Sequence, residues 1–256
     1  MINLLGYTFL TTTYSGRIPL CIATIAGVMS KVKGAEFVIM WCDEPDSSRY
    51  LQHMLQMIAT ATGNELTFCQ AGSDTSVAHT KRAFTPSTKM THFINLDDDL
   101  LVTERSLTFL KGLPSVPVVT IGVVDADGSR GFEDYDNYKY PSYAAFLEFH
   151  SPGKAKHHSF AYSGALREYG WISQLYCMTR ETYENLAVWD TIYDRFKQKG
   201  VRGYDIVLEN NLQALGIKST LIFGCEALHI GLEHAYLGGP WTGADDITKT
   251  VVTLKG

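Results

Sequence analysis

Thr91-His92-Phe93-Ile94-Asn95-Leu96-Asp97-Asp98-Asp99-Leu100-Leu101-Val102 decides how the rest of the chain is read. An apolar run with strand character stops at three successive carboxylates, and apolar residues then resume. Carboxylates at the mouth of a buried strand repel one another and resist leaving water unless a cation sits among them. Hard divalent ions such as Mg2+ and Mn2+ favour such oxygen ligands and commonly share them with substrate phosphates. In open α/β sheets the carboxyl end of a strand is also where ligands bind. The segment therefore predicts a metal–diphosphate site; an acidic cap closing a strand is the plain structural alternative.

Composition narrows the class. A chain of 256 residues with 45% apolar and 19% charged residues is ordinary globular material, with length for one or two domains. A net charge of −5 argues against a broad basic face, and so against obligate polyanion binding, although a local basic groove stays open. The five cysteines (Cys21, Cys42, Cys69, Cys177, Cys225) are odd in number and at least 21 residues apart. That spacing fits neither a zinc motif nor a disulfide framework, and the expectation is a reducing, cytoplasmic setting. No basic-then-apolar leader opens the chain and no run approaches the roughly 18 apolar residues of a span, so neither a signal peptide nor a transmembrane segment is expected.

Upstream of the aspartates, strand and helix patterns alternate. Tyr7–Thr13 reads as a strand leading into the loop Tyr14-Ser15-Gly16-Arg17, Pro19–Val32 as a helix, and Ala35–Trp41 as a buried strand broken at Asp43-Glu44-Pro45-Asp46. Tyr50–Thr62 reads as a helix closed by Gly63-Asn64, Glu65–Cys69 as a strand and Ser76–Phe84 as a helix. This order predicts an α/β fold with a mostly parallel sheet and helices on both faces. Downstream, Val116–Val124 adds a strand. Asp125–Gly170 has no period and is rich in Tyr, Gly, Ser and His, as in a lid or acceptor-binding segment. Trp171–Met178 then reads as a strand, Glu181–Ala187 and Tyr204–Leu215 as helices, and Leu221–Cys225 as a closing strand. No repeat or low-complexity tract is present.

Four segments, in order, resemble the GT-A fold glycosyltransferases, most closely glycosyltransferase family 2, over about Tyr7 to His229. Thr11-Thr12-Thr13-Tyr14-Ser15-Gly16-Arg17 resembles the first strand and its Pro-Thr-Tyr-Asn-Arg-like loop. Val38-Ile39-Met40-Trp41-Cys42-Asp43 resembles the second strand, which ends in an aspartate near the nucleotide base. Phe93–Asp99 resembles the strand carrying the DxD motif, and Tyr204–Gly216 resembles a helix that in the family opens Glu-Asp and ends in Gly. The resemblance implies a single Rossmann-like domain over 1–256, with a nucleotide-sugar half (1–124) and an acceptor half (125–256) containing the variable segment 125–170. It also implies a metal-dependent transferase of a hexosyl or pentosyl group from a nucleotide-diphosphate sugar to an acceptor hydroxyl, with inversion.

The same resemblance suggests individual roles. Asp99 would hold Mn2+ or Mg2+, Asp97 would reach the donor's ribose or sugar, and Asp98 is less defined because the family's middle residue often points away. His229 follows the last strand where many GT-A enzymes place a metal-binding histidine; His234 competes for that role, and a packed core histidine is the alternative. Thr11, Tyr14 and Asp43 would contact base and ribose, and Lys81-Arg82 resembles a stretch that touches the diphosphate. Asp205 would be the general base, kept ionised at a helix N-terminus. A helix cap is its structural alternative, and Tyr204 departs from the family's Glu at the preceding position. Trp171 would stack on a sugar or simply fill core. His150, Lys154, Lys156, His157 and His158 form the one local basic stretch, a dock for a phosphate-bearing acceptor.

The acceptor stays open: a glycan, a protein, a lipid-linked sugar, a small molecule or a modified nucleic acid base. The absence of a QxxRW-like segment argues against a processive membrane synthase. A haloacid-dehalogenase-like phosphatase using Asp97 and Asp99, with Asp245-Asp246 as a late acidic pair, is the rival enzyme. That family's first motif normally begins its domain, whereas here it follows three βα units. A nucleotidyltransferase would want more glycine than Gly16 after the first strand, and a non-catalytic sugar-nucleotide-binding domain would not need all of Asp97, Asp99, Asp205 and His229.

Overall fold

A nine-stranded sheet organises this computed structural model, which describes residues 1–72, 83–125, 166–169, 174–186, 208, 212, 214–217 and 219–230. The first half contains β1 (Ile2–Asn3), β2 (Tyr7–Thr13), α1 (Ile18–Met29), β3 (Val32–Lys33), β4 (Glu36–Trp41), α2 (Arg49–Thr62), β5 (Glu65–Gln70) and β6 (His92–Leu96). The second contains β7 (Leu100–Val102), α3 (Glu104–Gly112), β8 (Val118–Asp125), β9 (Leu166–Tyr169), β10 (Leu175–Thr179), α4 (Arg180–Asn185) and β11 (Ser219–His229). The strands run in the order β5-β4-β2-β6-β10-β8-β11-β7, with β9 also on β11, while β1 and β3 pair separately.

The β5-β4-β2-β6 half is parallel throughout, as the alternating pattern requires. Beyond it the sheet is mixed: the α/β fold is as expected, and the sheet is not purely parallel, although β11 again runs parallel to β8. Strand β10 lies antiparallel between β6 and β8, and β7 and β9 are antiparallel to β11. β6 and β7, separated only by the three aspartates, are not neighbours: β7 pairs with β11 at the far end of the strand order.

Strands β2, β4 and β6 are buried on both faces, so their sequences read as continuous apolar runs. Phe9, Phe37, Ile39, Trp41, Ile94 and Leu96 point to one face, where α1, α2 and α3 supply Ile25, Val28, Leu51, Leu55, Leu107 and Leu110. Leu10, Val38, Met40 and Phe93 point to the other, against Tyr176, Met178, Tyr183, Leu186, Leu208 and Leu212. Helical layers on both faces are therefore observed. Each fully buried Phe or Leu contributes about 1.5–3 kcal/mol.

Local signals explain the boundaries. α2 ends where Gly63 turns left-handed (φ 71°), and Asn64 then accepts from Ala35 N (3.1 Å) and donates to Val32 O (3.0 Å). Thr103 caps α3 by accepting from Ser106 N, and Thr179 caps α4 by accepting from Thr182 N. α1 stops at Met29, earlier than the periodicity suggests, because Val32–Lys33 pairs with β1. β7 and α3 do not follow from the pattern, and β9 lies within the stretch read as aperiodic. The helix expected at Ser76–Phe84 and most of that at Tyr204–Leu215 lie outside the described residues, although Leu208, Leu212 and Ala214 are helical.

Candidate metal and nucleotide site

The carboxyl ends of β2, β4 and β6 lie side by side, in register from Thr13 beside Trp41 to Leu10 beside Asn95. The turns leaving them carry Tyr14–Arg17, Asp43 and Asp97–Asp99. His229 reaches the same place through pairing: in the β11–β7 ladder it sits opposite Leu100, and the next residue, Ile230, donates its N–H to Asp99 O (2.8 Å). His229 Nε2 consequently lies 2.9 Å from Asp99 Oδ2, both residues being buried.

Arg17 enters between the carboxylates. Its terminal nitrogen pairs with Asp99 Oδ2, and its Nε lies 2.8 Å from Asp98 Oδ1. That second contact is an ion pair only, because the buried Nε–H has no hydrogen-bond partner at acceptable geometry. Thr13 Oγ1 donates to the other Asp98 oxygen (2.7 Å), and Leu100 N donates to Thr24 Oγ1 on α1 (2.9 Å), fixing the turn from beneath.

Electrostatics separate the two buried carboxylates. Burial pushes Asp99 upward, but His229 and Arg17, by charge and hydrogen bonding, outweigh it and hold Asp99 well below the usual carboxylate range. Burial pushes Asp98 upward and the Asp99 charge adds to this, with Arg17 and Thr13 opposing it incompletely. Of the pair, Asp98 takes up a proton first. Burial opposes the Arg17 charge, but Asp98 and Asp99 overcome this and raise its pKa further.

The remaining sequence candidates fall into three groups. Asp97 is half-buried, with Oδ1 accepting from Asn95 Nδ2 (3.0 Å). Tyr14 and Asp43 are also half-buried at the strand ends, and Asp43 Oδ2 accepts from Ser15 N (2.7 Å), bracing the loop that carries Arg17. Thr11 is placed differently: it is buried and donates to Leu96 O (2.8 Å), tying β2 to the end of β6 behind the cluster. Arg82, Asp205, Lys81, Trp171 and His234 lie outside the described residues, as do the basic residues between His150 and His158. Arg17, Thr13 and Thr24 received no role from sequence. Arg17 stands in the quoted loop motif, but nothing local marks it as a partner of residues 82 positions away.

No group of three or more His, Cys, Asp or Glu side chains is arranged to hold a metal among the described residues. The donor set still suits a hard divalent cation. Asp99 offers an ionised oxygen and His229 an imidazole nitrogen, and the Arg17 guanidinium is a positive stand-in on the same Asp99 oxygen. Mg2+ and Mn2+ commonly take one or two protein ligands and complete their shell from phosphate and water.

By sequence, no protein-family model and no curated protein matches the chain. By structure, the mannosyltransferase PcManGT from Pyrobaculum calidifontis, solved with GDP-Man and Mn2+, matches with a TM-score of 0.55 at 15% identity. The match covers 90% of this chain and 58% of that one. The fold is GT-A-like. The glycosyltransferase GlyE of Streptococcus pneumoniae TIGR4 also matches, with a TM-score of 0.50 at 10% identity, over 85% of this chain and 45% of its own. The GT-A-like chain thus spans about half the length of these two solved structures. No helix among its described residues is long and apolar enough to cross a membrane.

Proposed function

We propose that this protein is a glycosyltransferase that moves a sugar from a nucleotide-diphosphate donor to an acceptor hydroxyl, with a divalent cation held at Asp99 and His229. The observation that carries this reading is the meeting of Asp99, His229 and the half-buried Arg17 guanidinium at the carboxyl edge of the parallel strands. The GT-A-like fold, shared with a mannosyltransferase solved with GDP-Man and Mn2+, supports it.

The reaction breaks the bond between the anomeric carbon and the diphosphate, through a transition state with oxocarbenium character and growing charge on the leaving group. A divalent cation, when bound, supplies electrostatic stabilisation of that leaving charge. Asp99 and His229 hold the cation, Asp97 contacts the donor's ribose or sugar, and Tyr14 and Asp43 line the nucleoside end. Arg82 reaches the diphosphate. Asp205 removes the acceptor's proton, giving direct displacement and inversion. Thr11 acts behind the site, through β6.

A thermal-shift screen of nucleoside diphosphates and nucleotide-sugars, with and without Mn2+, tests the proposal. A ligand specific to the native state at a hundredfold excess over its Kd adds about 2.7 kcal/mol of stability. The expected result is stabilisation by one nucleotide series, enhanced by Mn2+, followed by donor turnover. No response to any nucleotide in either condition would refute the reading.

A further inference from the structure

We infer that Arg17 is an exchangeable counter-ion, occupying the charge position of the divalent cation on Asp99 and yielding it when the metal binds. The inference rests on the metal–diphosphate reading above and assigns a function to a residue which that reading leaves unused.

Three observations support the exchange. Arg17 and His229 both engage Asp99 Oδ2, the oxygen offered to a cation, so guanidinium and metal cannot hold it together without close contact between like charges. Two adjacent buried carboxylates would repel and resist desolvation in the absence of a positive charge, and Arg17 provides one from within the chain. Finally, the grip on Asp98 is incomplete, although the terminal nitrogen does donate a hydrogen bond to Asp99. Nε is buried without a hydrogen bond, so the guanidinium is held to Asp98 by charge rather than by a directed pair that would resist release.

The consequence is coupling. Metal entering without an anionic ligand must displace Arg17 and leave its charge poorly matched. Metal entering with a diphosphate brings the negative charge that Arg17 then faces. Arg17 thereby makes metal binding weak alone and strong with donor, a positive coupling between the two ligands.

The test is Mn2+ affinity of the folded protein, measured by electron paramagnetic resonance for wild type, Arg17→Met and Arg17→Lys without nucleotide. Arg17→Met keeps the alkyl stem and removes the competing charge. It should bind Mn2+ at least tenfold more tightly than wild type, with its thermal midpoint lowered in chelator and recovered by Mn2+. Arg17→Lys, which retains the charge and guards against misfolding of the Met variant, should stay within about threefold of wild type. A purely structural Arg17 would lower Mn2+ affinity when replaced, so unchanged or weaker binding in Arg17→Met overturns the exchange. Parallel titrations with Mn2+ plus GDP and Mn2+ plus UDP separate the two levels. If wild type responds to metal and nucleotide but Arg17→Met gains no Mn2+ affinity, only the exchange fails. If wild type responds to neither mixture, the site reading fails and takes the exchange with it.

Discussion

Asp99 and His229 are 130 residues apart in the chain and 2.9 Å apart in space, joined through the one-residue offset between the Leu100–His229 pair and the Ile230–Asp99 hydrogen bond. Backbone register, rather than side-chain flexibility, sets this contact. Asp99→Asn preserves shape and leaves Arg17 paired with Asp98, so the fold should survive. Mn2+-dependent nucleotide binding should weaken tenfold or more, and metal-dependent turnover should disappear. Calorimetry of nucleotide binding with and without Mn2+ measures this; normal metal dependence in Asp99→Asn would remove Asp99 from the site.

His229→Gln keeps a polar group near Asp99 but gives up the imidazole. Removing the ring also takes away the largest influence lowering Asp99 against burial, so the carboxylate becomes easier to protonate. Mn2+ affinity should fall by roughly an order of magnitude, the scale of losing one ligand or its support. Titration of Mn2+ into the variant and wild type at neutral pH decides it. Equal affinities would make His229 a packing residue.

Thr13 and Thr24 stabilise the acidic turn in different ways, and valine at each separates them. Thr13→Val leaves a buried Asp98 oxygen without its donor, whereas Thr24→Val leaves the Leu100 N–H without its acceptor. An unsatisfied buried group costs about 1–3 kcal/mol, more when charged, so Thr13→Val should be the more destabilising in urea melts. Thr24→Val, which loosens the residue next to Asp99, should still reduce metal affinity. Two variants indistinguishable from wild type would show that the turn is held elsewhere.

Glycine strain gives a prediction independent of function. A methyl group added at Gly63 (φ +71°) would meet nothing within 4 Å, while one added at Gly6 (φ +85°) would come within 2.7 Å of Thr91 Oγ1. Gly63→Ala therefore carries only left-handed backbone strain, about 1–2 kcal/mol. Gly6→Ala adds a clash beside the start of β6 and should cost clearly more. Equal losses in denaturant midpoints would mean that Thr91 rotates away freely.

The parallel half of the sheet was legible because β2, β4 and β6 are buried on both faces and so carry unbroken apolar runs bounded by Gly6, Gly34, Asp43 and Asp97. The same property concealed β7: Leu100-Leu101-Val102 is too short for any period, and its partner is 125 or more positions later in β11. Thr103 followed by Glu104 was a readable start for α3, overshadowed by the aspartates just before it. Sheet order was not legible, since nothing local in Leu175–Thr179 says that it inserts antiparallel between β6 and β8. In the site, carboxylates and histidine announced themselves by residue type. Arg17 did not, because an arginine in a loop usually reads as solvated and its burial is decided by long-range packing.

Asp205 carries the stereochemical prediction, which rests on sequence. If this residue takes the proton of the attacking hydroxyl, displacement at the anomeric carbon occurs in one step and the product is inverted. Asp205→Asn keeps size and most capping ability while removing the base. Turnover should fall roughly 10²–10⁴-fold, the usual scale of general-base catalysis, with donor affinity and thermal midpoint nearly unchanged. Rapid-mixing turnover and NMR of the product's anomeric proton supply the two readings. A fully active Asp205→Asn would reduce Asp205 to a cap, and a product with retained configuration would exclude the single displacement whatever the variant does.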